Sequence, residues 1–459
     1  MRLLASLASL ACIIACGSPS TPTRPTAPPA PAPAPAPPPE PEFVLPAEAR
    51  DTQVGKQLVW VLESLAHPDK IADAEIEKRF APEFLAHVPA AKFREISAQL
   101  SAALPKLTLG TVTVEEGSKL VARVASGATK MRILLGLDKA GKIAGLLVQA
   151  DLDKPATFEA ADAMAKKLAP KVSMLVASVD DKGACTPRHA LAEKEQLAIG
   201  SAFKLYVLLG LVDKVLAGKL AWDAPLPVRD DWKSLPSGMT QNEDAGTKLS
   251  VKEHATRMIS ISDNTATDHV LYTVGRKDVE AALRTGGHAT PALDVPFLAT
   301  REMFLLKLGE PAELAAYLKL PPEKRRAHLD GLAGKTPHIM QAIGWTKPRA
   351  IEELEWFAST ADLCRVMGTL RVRSQKPAAA PLLEVLSKNP GLPIDPAAWP
   401  FIGFKGGSEP GVLNLTYLLR RADDKWFFVA VTANSTTDMV DDNATSGLVG
   451  GLVDLAAKL

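Results

Sequence analysis

The run Ala198-Ile199-Gly200-Ser201-Ala202-Phe203-Lys204-Leu205-Tyr206-Val207-Leu208-Leu209 constrains this chain more than any other stretch. Nearly every side chain in it is apolar, which predicts a helix buried on all sides in the core of a large domain. Only Ser201 and Lys204 interrupt it, and polar groups at that depth need partners. At i and i+3 they share one face, one turn apart. Burial disfavours the charged form of an amine, so Lys204 is expected to sit neutral and take the proton of the Ser201 hydroxyl, making an activated nucleophile. Gly200 lets the chain approach closely at the helix start, where free backbone N–H groups favour a developing oxyanion. Taken alone, the pattern also fits a buried serine beside a snorkelling lysine.

Two later stretches sharpen the reading. Ile259-Ser260-Ile261-Ser262-Asp263-Asn264-Thr265-Ala266-Thr267 carries Ser-Asp-Asn, and Phe404-Lys405-Gly406-Gly407-Ser408-Glu409-Pro410-Gly411 carries Lys-Gly-Gly. Separately these read as a helix-capping turn and a hairpin. S-x-x-K, then S-D-N, then K-x-G, in this order, resembles the signature set of the class A β-lactamases and penicillin-binding proteins. Ser201 and Ser262 stand 61 residues apart, close to that family's usual spacing. Ser262 and Lys405 stand 143 apart, a longer interval than usual, which marks an enlarged segment before the third motif.

The resemblance implies a serine hydrolase needing no cofactor. Ser201 would form the acyl-enzyme, with Lys204 as its base. Ser262 would relay a proton between Lys204, Lys405 and the leaving group, and Asn264 would hold the substrate side chain. Lys405 would favour an anionic substrate and bias Lys204 toward neutrality by like-charge repulsion. The backbone N–H groups of Ser201 and Ser408 would form the oxyanion hole. Gly406, Gly407 and Ser408 complete the substrate-binding positions, with Gly406 standing where the family usually has Thr or Ser. The deacylating E-x-x-L-N is absent before the helix expected over Ser359 to Leu370. Glu302, Glu352, Glu353 and Glu355 are the acids of that region, and each reads first as a solvated helix charge. That lack points to slow deacylation, as in a penicillin-binding or D-Ala-D-Ala peptidase-like protein or a cephalosporin esterase, beside the reading as a true β-lactamase. A non-catalytic binding protein of the cell envelope is the third reading.

Met1 to Ala15 has an Arg near its start and an apolar run too short to span a membrane. It ends in Ile13-Ile14-Ala15-Cys16-Gly17, which looks like a bacterial lipobox, so residues 1–16 are read as a lipoprotein signal peptide with lipidation at Cys16. The expectation is an exported protein anchored by lipid in the bacterial cell envelope, facing the periplasm. Residues 17–48 are rich in Pro, Ala, Ser and Thr and read as a disordered, semi-rigid spacer. Lys and Arg number 53 against 52 Asp and Glu, so no global field argues for a nucleic-acid partner. With Cys12 and Cys16 assigned to the signal, Cys185 and Cys364 remain; they can pair in an oxidising compartment, although their spacing does not require it. Neither has metal-ligand neighbours, and no metal site is expected.

Residues 49–459 are too many for one core and predict two domains of α+β class. Residues 49–155 give helical periodicity at 54–65, 72–80 and 91–104, then four strands at 108–115, 118–125, 130–137 and 143–149. Helices followed by a curved antiparallel sheet resemble the cone-shaped nuclear-transport-factor (NTF2-like) and steroid-isomerase domains, here an accessory or binding module without a matched acid–base pair. Residues 156–459 predict a helix at 156–168, a strand at 172–179, its partner near 183–190, a helix at 251–259, strands at 402–407, 412–420 and 426–432, and a terminal helix at 446–459. An antiparallel sheet flanked by helices, with a helical subdomain, resembles the β-lactamase/transpeptidase-like domain. Phe297-Leu298-Ala299-Thr300-Arg301-Glu302-Met303-Phe304 and Glu355-Trp356-Phe357-Ala358-Ser359-Thr360-Ala361-Asp362-Leu363-Cys364-Arg365 are similar to the two-domain serine hydrolases of the clavulanic acid gene cluster type.

Overall fold

The computed structural model describes residues 43–115, 117–127, 129–333, 335 and 344–459. The signal peptide, Cys16 and most of the Pro-rich stretch lie outside the described residues. The chain divides into two compact units, the first ending at Leu152 and the second spanning Asp153–Leu459.

In the first unit, α1 (Gln53–Ala66) and α2 (Ala90–Ala103) precede a four-stranded meander. Its strands are β1 (Thr108–Glu115), β2 (Lys119–Ser126), β3 (Thr129–Leu137) and β4 (Ile143–Ala150), paired antiparallel in sequence order. The alternate residues Leu120, Ala122 and Val124 of β2 and Met131, Ile133 and Leu135 of β3 point to one face. Val54, Leu58, Val61, Leu62 and Leu65 supply the helical stripe in the same core. Leu45 is buried there too, so packing begins before residue 48.

The second unit opens with α3 (Phe158–Leu168), whose cap Thr157 accepts a hydrogen bond from the Ala160 N–H. The central sheet takes β5 (Lys171–Val179) and β6 (Cys185–Leu191) from this end of the chain. Far along it come β9 (Phe401–Glu409), β10 (Val412–Arg420) and β11 (Trp426–Asn434). The spatial order is β9-β10-β11-β5-β6, every neighbour antiparallel. Between them lie the two-residue strand β7 (Leu197–Ala198), α4 (Lys204–Leu216), α5 (Val251–Ser260), α6 (Asn264–Val274) and α7 (Arg276–Thr285). Next come α8 (Thr300–Leu308), the short β8 (Phe357–Ala358) and α9 (Thr360–Ser374), and the chain closes with α10 (Asp442–Ala456).

Both faces of the sheet are covered, which is why its inner strands read as unbroken apolar runs. Leu175, Ala177, Phe428 and Ala430 face the large core around α4, whose Leu205, Val207, Leu208, Leu209, Leu211 and Val212 are all buried. Met174, Val176, Phe427, Val429 and Val431 face the second core with Leu448, Leu452 and Val453 of α10. The helical subdomain holds more than was expected from sequence: α6 and α7 run directly on from the Ser-Asp-Asn turn.

Cys185 on β6 and Cys364 on α9 are disulfide-bonded, across 179 residues of sequence. Such a bridge restricts the unfolded chain. Replacing both cysteines by Ala should therefore lower the unfolding free energy by about 2–4 kcal/mol. A denaturant midpoint that does not move in the double variant would show that the bridge adds nothing.

Candidate active site

The stretch around Ser201 is not one continuous helix, as the apolar run had predicted. Leu197–Ala198 pairs with Phe357–Ala358, and the Ile199 N–H donates to the Trp356 carbonyl at 3.0 Å. Gly200 then turns the chain with φ of +47°, and Gly200–Phe203 forms a 3-10 turn leading into α4 at Lys204. Three residues per turn eclipse side chains at i and i+3, so Ser201 and Lys204 are superposed more closely than on an α-helix.

Lys204 is fully buried while Ser201 is partly exposed. The lysine Nζ lies 2.7 Å from the Ser262 carbonyl, 2.7 Å from Asn264 Oδ1, 3.0 Å from Ser262 Oγ and 3.2 Å from Ser201 Oγ. The first two partners can only accept. A neutral amine has two N–H bonds and one lone pair; the two N–H bonds go to those acceptors, and the lone pair is left for a hydroxyl. Burial, and then the like charge of Lys405, hold Lys204 well below the usual lysine range, against the opposing pull of Asp263 and Asp268.

Ser262 adopts φ of +57°, an unusual conformation for a residue with a side chain. Its surroundings hold it there. The Ser262 carbonyl accepts from Lys204 Nζ and from Ser237 Oγ at 2.8 Å. Asp263 caps α6 through the Ala266 N–H at 2.8 Å, and its other oxygen accepts from the Met239 N–H, the Thr240 N–H and Thr240 Oγ1. The Ser262 hydroxyl stands between two amines, 3.0 Å from Lys204 Nζ and 3.1 Å from Lys405 Nζ. Lys405 also donates to the Gly406 carbonyl, and burial pulls its pKa down to about 7. Ser237 was not anticipated, because nothing in its sequence neighbourhood marks it.

The third motif meets the nucleophile through backbone. A methyl group on Gly407 would lie 2.1 Å from the Ile199 carbonyl oxygen and 2.6 Å from the Ser201 nitrogen, and one on Gly200 would lie 3.1 Å from the Ser408 nitrogen. Ser201 and Ser408 therefore flank one tight seam, with Ser408 exposed.

Two expected substrate positions make contacts of their own within the fold. Asn264 is buried and its amide orients the lysine: Oδ1 accepts from Lys204 and one Nδ2–H donates to the Leu235 carbonyl at 3.1 Å, which leaves the second Nδ2–H for a further acceptor. A methyl group at 406 would lie 2.9 Å from Phe404 Cζ, the outer end of a half-buried side chain, and away from the Gly407 contact.

The acids also differ from expectation. Glu302 is buried: it accepts the Ala299 N–H at 2.8 Å and pairs in bidentate fashion with Arg276 at 2.6 and 2.9 Å. Glu355 is buried against Lys307. Glu352 and Glu353 are exposed, as expected, with Glu352 paired to Lys171 at 2.8 Å. The buried acid beneath the site is Asp268, which accepts from the Thr300 N–H, Thr300 Oγ1 and the Arg301 N–H; Thr300 Oγ1 lies 3.2 Å from the Asn264 carbonyl. Burial pushes the Asp268 carboxyl up to about 7.

A covered antiparallel sheet with a serine and two buried amines at its edge defines a β-lactamase-like domain. Residues 157–320, within the second unit, match the model of the beta-lactamase enzyme family. Residues 49–143 match a second model, described as the N-terminal part of the ORF 12 gene product. Among solved structures, the chain is similar to a β-lactamase from Sphaerobacter thermophilus at 19% identity and a TM-score of 0.44, over 65% of this chain and 95% of that one. A β-lactamase from Chitinophaga pinensis gives 16% identity and 0.45, over 65% and 96%. No curated protein matches the chain.

Proposed function

We propose that this protein is a serine hydrolase of the class A β-lactamase-like type, in which Ser201 attacks the carbonyl of a β-lactam or related amide or ester. Lys204 takes the hydroxyl proton, and Ser262 passes one to the leaving group. The observation that carries the reading is the lysine coordination: two carbonyl acceptors at 2.7 Å use both N–H bonds of a neutral amine and leave its lone pair for the hydroxyls beside it, Ser262 Oγ at 3.0 Å and Ser201 Oγ at 3.2 Å. Lys405 suits an anionic substrate, and the Ser201 and Ser408 N–H groups receive the oxyanion.

Slow deacylation, as in a penicillin-binding protein or a cephalosporin esterase, is favoured over rapid lactamase turnover. The specific observation is that Glu302 and Glu355 are both engaged in buried ion pairs. The first unit is read as an accessory, NTF2-like module, as in the clavulanic acid cluster type of two-domain hydrolase. The lipobox at Cys16, the Pro-rich spacer and the Cys185–Cys364 bond support an exported, lipid-anchored protein.

The test is intact mass after exposure to a penicillin, a cephalosporin and a simple activated ester, with Ser201→Ala beside it. A persistent adduct absent from the variant is expected. Product without a lasting adduct would indicate rapid turnover instead, and neither adduct nor product with any acyl class would sink the hydrolase reading.

A further inference from the structure

Outside the proton-transfer group, one buried ionic cluster has no part in the reaction described so far. Lys307 on α8 is fully buried, and its Nζ contacts the carboxylates of Glu355 and Glu409, whose side chains are almost wholly buried as well. The ring of Trp345 lies 5.6 Å from the same ammonium. Burying one cation with two acids is expensive in desolvation, and such clusters are weak contributors to stability compared with apolar packing. Their position in the chain is the informative feature.

Glu409 immediately follows Ser408 on β9. Glu355 immediately precedes Trp356, whose carbonyl accepts the Ile199 N–H at 3.0 Å and whose ring stacks on Phe203 at 3.7 Å between centroids. Glu409 thus belongs to the strand that meets the nucleophile turn at the Gly407–Ser201 seam, where a single methyl group would not fit, and Glu355 to the neighbouring segment that pairs with Leu197–Ile199 at the start of that turn. We propose that Lys307 is a positioning residue for acyl transfer, its ammonium clamping the Gly407–Ser408 end of β9 to the Ile199–Ser201 turn and thereby setting the spacing of the two oxyanion donors. This rests on the acyl-transfer reading above. Burial and the adjacent Glu355 push the Glu409 carboxyl well above the usual range, and the two acids keep Lys307 charged despite its burial. Without the ammonium, the acids face each other unscreened and the strand end is no longer held.

The experiment compares wild type, Lys307→Met and Lys307→Arg in the full chain, by acylation kinetics with an activated ester and by circular dichroism. Lys307→Met should remain folded and acylate about 10²-fold more slowly, the effect of roughly 1 Å of misplacement. Its KM should change by less than about threefold, because oxyanion contacts strengthen only in the transition state. Lys307→Arg should recover the rate to within about tenfold of wild type, since it restores the charge with different geometry. A folded Lys307→Met with wild-type acylation overturns the proposal, as does a loss that Arg leaves unrepaired. Should Lys307→Met fail to fold, Glu409→Ala cuts the link to the strand alone: a slower rate supports the clamp and an unchanged one overturns it. If the wild type is not acylated by anything, the hydrolase reading falls, and the clamp is still read by amide hydrogen exchange. Faster exchange at Gly407 and Ser408 in a folded Lys307 or Glu409 variant then supports it, and unchanged exchange overturns it.

Discussion

Replacing Lys204 with Met should slow acylation of Ser201 by about 10²–10⁴-fold, the usual contribution of a positioned general base. Stability should move by no more than about 2 kcal/mol, because two effects oppose each other. The apolar chain of Met avoids desolvating an amine, but Asn264 Oδ1 loses its 2.7 Å partner. Acylation followed by intact mass over time, beside a denaturant midpoint, measures both. The pH profile tests the role itself. The neutral amine is the competent base, so the wild-type rate should rise with pH through the lowered Lys204 pKa and then level off. Above about 7 Lys405 loses its proton, so affinity for an anionic substrate should fall on that side. Lys204→Met should lack the rise. A variant that keeps most of the rate and the same rise would move the base to another group.

Gly407→Ala is the second substitution with a large expected effect. Its methyl group would meet the Ile199 carbonyl oxygen at 2.1 Å and the Ser201 and Ala202 nitrogens at 2.6 and 2.8 Å, all of them backbone atoms. No side-chain rotation relieves such a contact, so β9 must separate from the nucleophile turn by a sizeable fraction of an ångström or more. Overpacking of this kind costs about 1–3 kcal/mol. Displacing the Ser408 N–H from the oxyanion should cost a further 10²–10³-fold, about what losing one donor does. The expected outcome is a folded protein with a lowered melting temperature and acylation slowed by about 10²-fold or more. Wild-type acylation in Gly407→Ala would show that the seam yields more easily than its geometry implies, and would separate the third motif from the oxyanion hole.

Much of the site was readable along the chain because its chemistry is concentrated in three short motifs. Ser201 and Lys204 lie within one turn, and two polar residues in an otherwise apolar run mark a candidate site once the two later motifs stand beside them. The motif order then brought Ser262 and Lys405 to the same place, and the structure puts Ser262 Oγ 3.0 and 3.1 Å from the two lysine nitrogens. The roles of single residues were less legible. Asn264 reads as a substrate contact, and only its packing shows that its amide also joins Lys204 to the Leu235 carbonyl. Glu302 and Glu355 looked like surface charges, because a glutamate in a helical stretch carries no local sign of a distant cation. Arg276 and Lys307, which bury them, are separated from them by 26 and 48 residues.

By itself the sequence determined the order of most helices and strands and the presence of two units, because hydrophobic period and turn signals are properties of neighbouring residues. Tertiary structure alone decided that Gly200 breaks the helix into a 3-10 turn, that Cys185 and Cys364 bond, and that Gly407 must lack a side chain. Each of these depends on atoms brought together from remote parts of the chain, where steric exclusion and desolvation, not local propensity, set the outcome.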